Sequence, residues 1–248
     1  MKQKLNLIPL LVVCLTLSSC FGIEEKILIH KDGTGTFTYS IDATKMMTEM
    51  IDMIEKLDKA FASDSTDTKP NKNDKKEDLR NGTIEKMKED FIGNKDGRIN
   101  NVKGISGYSE FIDTTGGKFI MGVRFNFDKV ASLNEALKTM LMKKEKEKKS
   151  DAIPPATYEF KDGVLTRELN KKAVEGLIGS DKDDKMTKAL MKDFKYIIVV
   201  ESDKDVKTAT APGATIKKTG NKVVIDYQVM DKSKEIIKAN MKSEVKIY

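Results

Sequence analysis

In 248 residues the chain has two cysteines, one histidine and no tryptophan. Both cysteines fall within the first twenty positions, Cys14 inside an apolar stretch and Cys20 just after it. Beyond Cys20 there is no thiol, which excludes disulfides, zinc-thiolate sites and cysteine nucleophiles from the folded part. His30, the lone histidine, cannot build the usual zinc site. As a general base it would need a serine and an orienting carboxylate, and no nucleophile-elbow pattern occurs. Long apolar runs are also missing. The best of them, Leu5 to Leu17, is broken by Asn6, Pro9 and Thr16 and is too short for a permanent membrane span.

Charge of one sign is only slightly in excess. The formal net charge is +6, and Lys2 and Lys4 account for two of those units. Elsewhere the signs alternate, as in Lys143-Lys144-Glu145-Lys146-Glu147-Lys148-Lys149, the pattern of a solvated helix end. So weak and scattered a basic balance argues against a nucleic-acid partner. Asp181-Lys182-Asp183-Asp184, Asp203-Lys204-Asp205 and Asn94-Lys95-Asp96-Gly97 lack the full oxygen-ligand spacing of a calcium loop and read as turns and helix caps. Gly33 and Gly35 lack the Gly-Lys-Ser/Thr that would make them a phosphate cradle. No metal or cofactor is expected.

What is present begins at the N-terminus. Lys2 and Lys4 form a positive start, Leu5 to Leu17 an apolar centre, and Ser18 and Ser19 a small-residue stretch before Cys20. This is the tripartite form of a secretory signal. Leu17-Ser18-Ser19-Cys20 is also similar to a lipobox, the signature of bacterial lipoproteins. That resemblance implies removal of residues 1–19 and a diacylglycerol thioether on Cys20, with the membrane as first partner. The peptidase needs small side chains before the bond, and only a thiol can carry the thioether. Residues 20–248 are then expected to form a single extracytoplasmic domain, lipid-anchored to the cell membrane. Phe21 stands where inner-membrane retention favours Asp, which points to the outer membrane in a two-membrane cell, and Glu24-Glu25 would suit onward export.

The body shows repeated strand signals. Phe37, Tyr39 and Ile41 alternate with Thr36, Thr38 and Ser40 after the Asp32-Gly33 turn, which predicts a hairpin with Glu25–His30. Asp42 stands at a helix N-cap position ahead of Met46, Met47, Met50, Ile51, Ile54, Leu57 and Phe61 at helical spacing. Residues 63–78 hold no large apolar residue, and a disordered loop is expected over about 63–79. A short helix is expected around Ile84–Ile92. A second hairpin, Val102–Asp113 with Lys118–Phe127, is followed by a helix opened by a Ser132/Glu135 capping box. A third, Thr157–Lys161 with Val164–Leu169, precedes helical spacing through Val174 and Leu177. Strands at Tyr196–Glu201, Val206–Ala211 and Lys222–Val229, a helix over Asp231–Met241 and a strand Val245–Tyr248 complete the chain. The expected fold class is α+β: an antiparallel sheet of repeated β-hairpin–helix units, with the helices packed on one side.

Methionines at 46, 47, 50 and 53 give the first helix a soft apolar face, equally suited to a core and to irregular ligands such as acyl chains. Where such a helix lies over a curved sheet a groove forms, and Met46, Met50, Phe119, Met121 and Phe125 are its expected lining. No catalytic residues are assigned. The expectation is a non-enzymatic envelope-binding domain for an amphiphile, such as a lipid or glycolipid, or for an envelope protein. A hydrolase of envelope polymers is the alternative from another class; it would require two carboxylates or a Ser-Lys pair in a polar cleft. A purely structural interaction module is the third reading.

From Glu24 onward the layout resembles bacterial lipoproteins of the LppM type. The resemblance rests on the apolar strand soon after Cys20, the Asp32-Gly33-Thr34-Gly35 turn, and an amphipathic strand and helix. It continues in the late runs Tyr196-Ile197-Ile198-Val199-Val200 and Lys222-Val223-Val224-Ile225-Asp226-Tyr227. The chain departs from that pattern in having no tryptophan in the late strand and no C-terminal membrane helix. The resemblance implies an α+β domain at the membrane surface with a lipid or glycolipid groove.

Overall fold

The computed structural model describes residues 22–45, 47–49, 52, 82, 98–141, 156–170, 194–228 and 241–248. The leader, the 63–79 loop, most of the first helix, the 84–92 helix and the helices expected after Leu169 and Asp231 lie outside the described residues. Eleven strands are described: β1 (Gly22–Ile29), β2 (Gly35–Asp42), β3 (Ile105–Asp113), β4 (Ile120–Phe127), β5 (Ala156–Lys161), β6 (Val164–Leu169), β7 (Lys195–Ser202), β8 (Thr208–Thr210), β9 (Thr215–Thr219), β10 (Lys222–Gln228) and β11 (Ser243–Lys246). One α-helix, α1 (Val130–Leu141), is described from end to end.

Each expected hairpin forms, and the alternation that predicted it is the cause. β1 buries every second residue, and its register sets Ile23, Glu25 and Ile27 opposite Ile41, Tyr39 and Phe37 of β2. The register of β2 with β4 continues that face through Met121, Val123 and Phe125. Between β5 and β6 the turn residues Asp162 and Gly163 both have positive φ, 49° and 74°, as a two-residue type I′ hairpin requires.

The assembly of the hairpins departs from expectation. The strands form two sheets. One has seven strands in the order β3-β4-β2-β1-β7-β10-β9, and the other four in the order β5-β6-β11-β8. The first is mixed, because β1 pairs with β7 in parallel. Strand occupies 55% of the described residues and helix 19%, which overturns the α+β reading of one antiparallel sheet built from repeated hairpin–helix units. Alternation marks which face of a hairpin is apolar, but not what covers it. Here the third hairpin does not extend the first sheet. It joins β11 and β8 and closes over the inner face of the first sheet, so that two apolar faces bury each other. β9 was not anticipated, since Thr215–Thr219 is exposed at every position and carries no alternation.

The main core lies between the sheets. Phe37 packs on Phe125 at 5.5 Å and edge-on to Tyr158 of the facing sheet at 5.9 Å. α1 covers the outer edge of β5: the Asn134 amide accepts from the Tyr158 N–H at 2.9 Å and donates to the Tyr158 carbonyl at 2.8 Å. This pairing satisfies backbone groups that an open edge would leave exposed. The helix starts earlier than the expected capping box. Val130 opens it, and Ser132 lies within its first turn, where the hydroxyl donates to Asp128 Oδ1 at 2.7 Å.

Gly35 is required where β2 begins. A Cβ there would stand 2.5 Å from Phe127 Cζ and would also collide with the Leu28 carbonyl oxygen. Gly35→Ala is therefore expected to cost about 1–3 kcal/mol through overpacking. A fall in the urea midpoint with an unchanged slope would show it; an unchanged midpoint would mean that the strand ends adjust freely.

Candidate functional site

The inner face of β1 carries one charged residue among isoleucines. Glu25 follows Ile23 and precedes Ile27 on that face, so the strand's alternation drives its carboxylate into the space between the sheets. Arg167 meets it from β6, where it lies between inward-facing Leu165 and Leu169. Tyr158 is the cross-strand partner of Arg167 on β5, and Tyr196 comes from β7 beside Ile23. All four are buried, Glu25 at 2% and Arg167 at 1% exposure.

The Arg167 guanidinium grips the carboxylate with two donors, Nε to Oε2 at 2.8 Å and Nη2 to Oε1 at 3.0 Å. Tyr158 Oη donates to Oε2, and Tyr196 Oη donates to Oε1. Arg167 also donates to Tyr196 Oη at 2.9 Å and to the Met241 carbonyl at 3.3 Å, with its Cζ 5.0 Å from the Tyr196 ring centroid. Each carboxylate oxygen thus accepts two hydrogen bonds, the complement an ionised carboxylate can hold. Burial pushes the Glu25 carboxyl up, but the Arg167 charge and the hydrogen bonds from Arg167, Tyr158 and Tyr196 outweigh it and hold the group below its ordinary 4.5. Burial and the Glu25 charge push both phenols well above their ordinary value. The cluster therefore holds a fixed carboxylate, a fixed guanidinium and two protonated tyrosines. With its acceptor positions filled and no exposed face, it ties the sheets together; substrate cannot reach it.

A pH dependence follows. Because the folded pKa of Glu25 lies below the unfolded value near 4.5, the unfolded chain binds the proton more readily. The Glu25 contribution to stability is thus present above that value and is lost as pH falls through the lower folded pKa. Asp32 and Asp113, held down by hydrogen bonds from Thr34 and Thr115, add a background of the same sign. Urea midpoints between about pH 2 and 6 should fall more steeply on acidification in the wild type than in Glu25→Gln. Parallel curves would assign the acid sensitivity to other carboxylates.

Of the expected groove residues, Phe119, Met121 and Phe125 are among the described residues. Phe119 and Met121 form a small apolar cluster with Ala43 and Met47, apart from the main core. The Ala43 N–H donates to the Phe119 carbonyl, and the Phe119 N–H donates to Thr44 Oγ1 at 2.8 Å, so the start of the first helix is stitched to the start of β4. The Asp42 cap is present, accepting from the Thr44 N–H at 3.0 Å. Phe125 is wholly buried in the main core. Met46 and Met50 lie outside the described residues. His30 bonds the Asp203 carboxylate through Nδ1 at 2.8 Å, on an exposed turn. Glu25, part of the Glu24-Glu25 pair expected to suit onward export, is the buried acid of this cluster. Its position in phase with Ile23, Ile27 and Ile29 was the signal for this, as was Arg167 in phase with Leu165 and Leu169.

Among the described residues no group of three or more His, Cys, Asp or Glu could hold a metal ion, and no helix is long and apolar enough to cross a membrane. No family model matches the chain, and no curated protein matches it. Among solved structures, the NMR structure of the folded domain of LppM from Mycobacterium tuberculosis is similar. It has 14% identity and a TM-score of 0.38, over 92% of this chain and 90% of that one. The likeness is weak.

Proposed function

We propose that the chain is a membrane-anchored bacterial lipoprotein whose two-sheet domain binds an envelope component without chemically altering it. The observation that carries this is the junction between lipobox and fold: Leu17-Ser18-Ser19-Cys20 is followed by one residue, Phe21, and then by the first strand at Gly22. A leader cut before Cys20 would leave an acylated residue directly abutting the middle of the seven-stranded sheet. Phe21 at the position after the cysteine favours the outer membrane in a two-membrane cell. The non-catalytic reading is supported by the saturated, inaccessible state of the buried Glu25–Arg167 pair. An amphiphile is the favoured ligand class, because the methionines at 46, 47, 50 and 53 give the first helical segment an adaptable apolar spacing.

The test is metabolic labelling of the full-length gene product with an alkyne fatty acid, followed by envelope fractionation and intact-mass analysis. The expected product is a labelled, membrane-bound chain beginning at acylated Cys20. An unlabelled protein that retains residues 1–19 would refute the reading. Native mass spectrometry of the same preparation would then show whether a lipid travels with the domain.

A further inference from the structure

We infer that the end of the domain where β1 starts is a membrane-contact surface lying in the lipid headgroup layer, with the opposite end, bearing His30 and Asp203, held away from the bilayer. This deepens the lipoprotein reading and rests on it. From Cys20 to Gly22 there are two peptide units, which span at most about 7 Å whatever their conformation. A thioether on Cys20 therefore cannot reach acyl-chain depth unless the start of β1 sits at the interface.

The registers define what else lies at that level. Gly22 is paired with Asp42, Asp42 with Ile120, and Ile120 with Asp113; on the other side Gly22 is paired with Lys195, and Lys195 with Gln228. β1 is the fourth of seven strands, so the anchor acts at the centre of this end rather than at a corner. The β3–β4 connection, Thr114 to Lys118, continues beyond that level and is exposed throughout. Its chemistry suits headgroups: two threonines, two glycines and a lysine, with no large apolar side chain to demand insertion. Asp113 is engaged by its own turn, accepting from the Thr115 N–H at 2.9 Å, and Asp42 is likewise engaged by Thr44. The small apolar cluster of Ala43, Met47, Phe119 and Met121 lies at this end, Ala43 following Asp42 and Phe119 preceding Ile120. Eight residues of β1 separate the two ends, about 23 Å at strand rise.

The mature chain carries no cysteine besides the acylated one, so single reporters can be placed cleanly. Lys118→Cys and Lys204→Cys, both at exposed positions, would be labelled with an environment-sensitive fluorophore on the full lipidated protein. The protein would then be reconstituted into phosphatidylethanolamine/phosphatidylglycerol vesicles containing brominated lipid. Quenching at position 118 is expected to be several-fold stronger than at position 204. A Gly/Ser linker of about ten residues inserted between Phe21 and Gly22 should remove most of that difference. Equal quenching at the two positions in protein that floats with the vesicles would overturn the orientation and leave the anchor standing. Protein that does not float with the vesicles would overturn both.

Discussion

Replacing Arg167 by alanine is expected to cost roughly 3–5 kcal/mol of folding stability, the usual penalty for leaving a buried charge without its partner. The Glu25 carboxylate would lose its bidentate donors and keep only the two tyrosine hydroxyls, in a space water does not reach. Part of the loss comes from packing, because the guanidinium also lies against the Tyr196 ring. Glu25→Ala should cost a similar amount by stranding the guanidinium. The double variant should lose clearly less than the two single losses together, since neither charge then remains to be stranded. Urea unfolding of the protein in detergent would measure all three. Additivity to within about 0.5 kcal/mol would show that the pair does not act as a unit. Complete replacement by apolar residues would also require Tyr158→Phe and Tyr196→Phe, because each phenol would otherwise lose its acceptor at about 1–3 kcal/mol.

The second large effect belongs to Cys20. Cys20→Ala is expected to move the protein from the membrane fraction almost entirely to the soluble fraction. A buried methylene contributes about 0.8 kcal/mol, and a single myristoyl chain binds only marginally, with a constant of about 10⁴ M⁻¹. Two or three chains on one cysteine hold durably, and a variant without the thiol receives none of them. Fatty-acid labelling should vanish together with membrane partitioning. Retention of Cys20→Ala on membranes would mean that another surface of the domain carries the binding, and loss of label without release would separate acylation from anchoring.

Strands such as β1, β6 and β10 were readable from sequence because buried and less buried positions alternate along them. Phe37, Tyr39 and Ile41, or Phe119 to Phe127 at alternate positions, can satisfy both environments only as strands. The Asp162-Gly163 turn was legible for a similar local reason, since both residues tolerate positive φ. β9 is not legible in the sequence because it is an exposed edge strand, held by its pairing with β10 rather than by burial. The Glu25–Arg167 pair is not legible in the sequence for a different reason. A glutamate or arginine at an inward position looks like a surface residue until its partner is known, and Glu25 and Arg167 are 142 residues apart.

By itself the sequence determined the hairpins, the absence of thiols beyond Cys20, and the close abutment of Leu17-Ser18-Ser19-Cys20 on the first strand. All of these are properties of neighbouring residues, governed by local geometry and chain reach. Only the tertiary structure decided that the hairpins divide into two facing sheets, that β1 and β7 run in parallel, and that a buried ion pair with every carboxylate acceptor position filled stands between the layers. These depend on which apolar face covers which. An apolar stripe is equally well buried by a helix or by another sheet, so the choice is made only when distant segments meet.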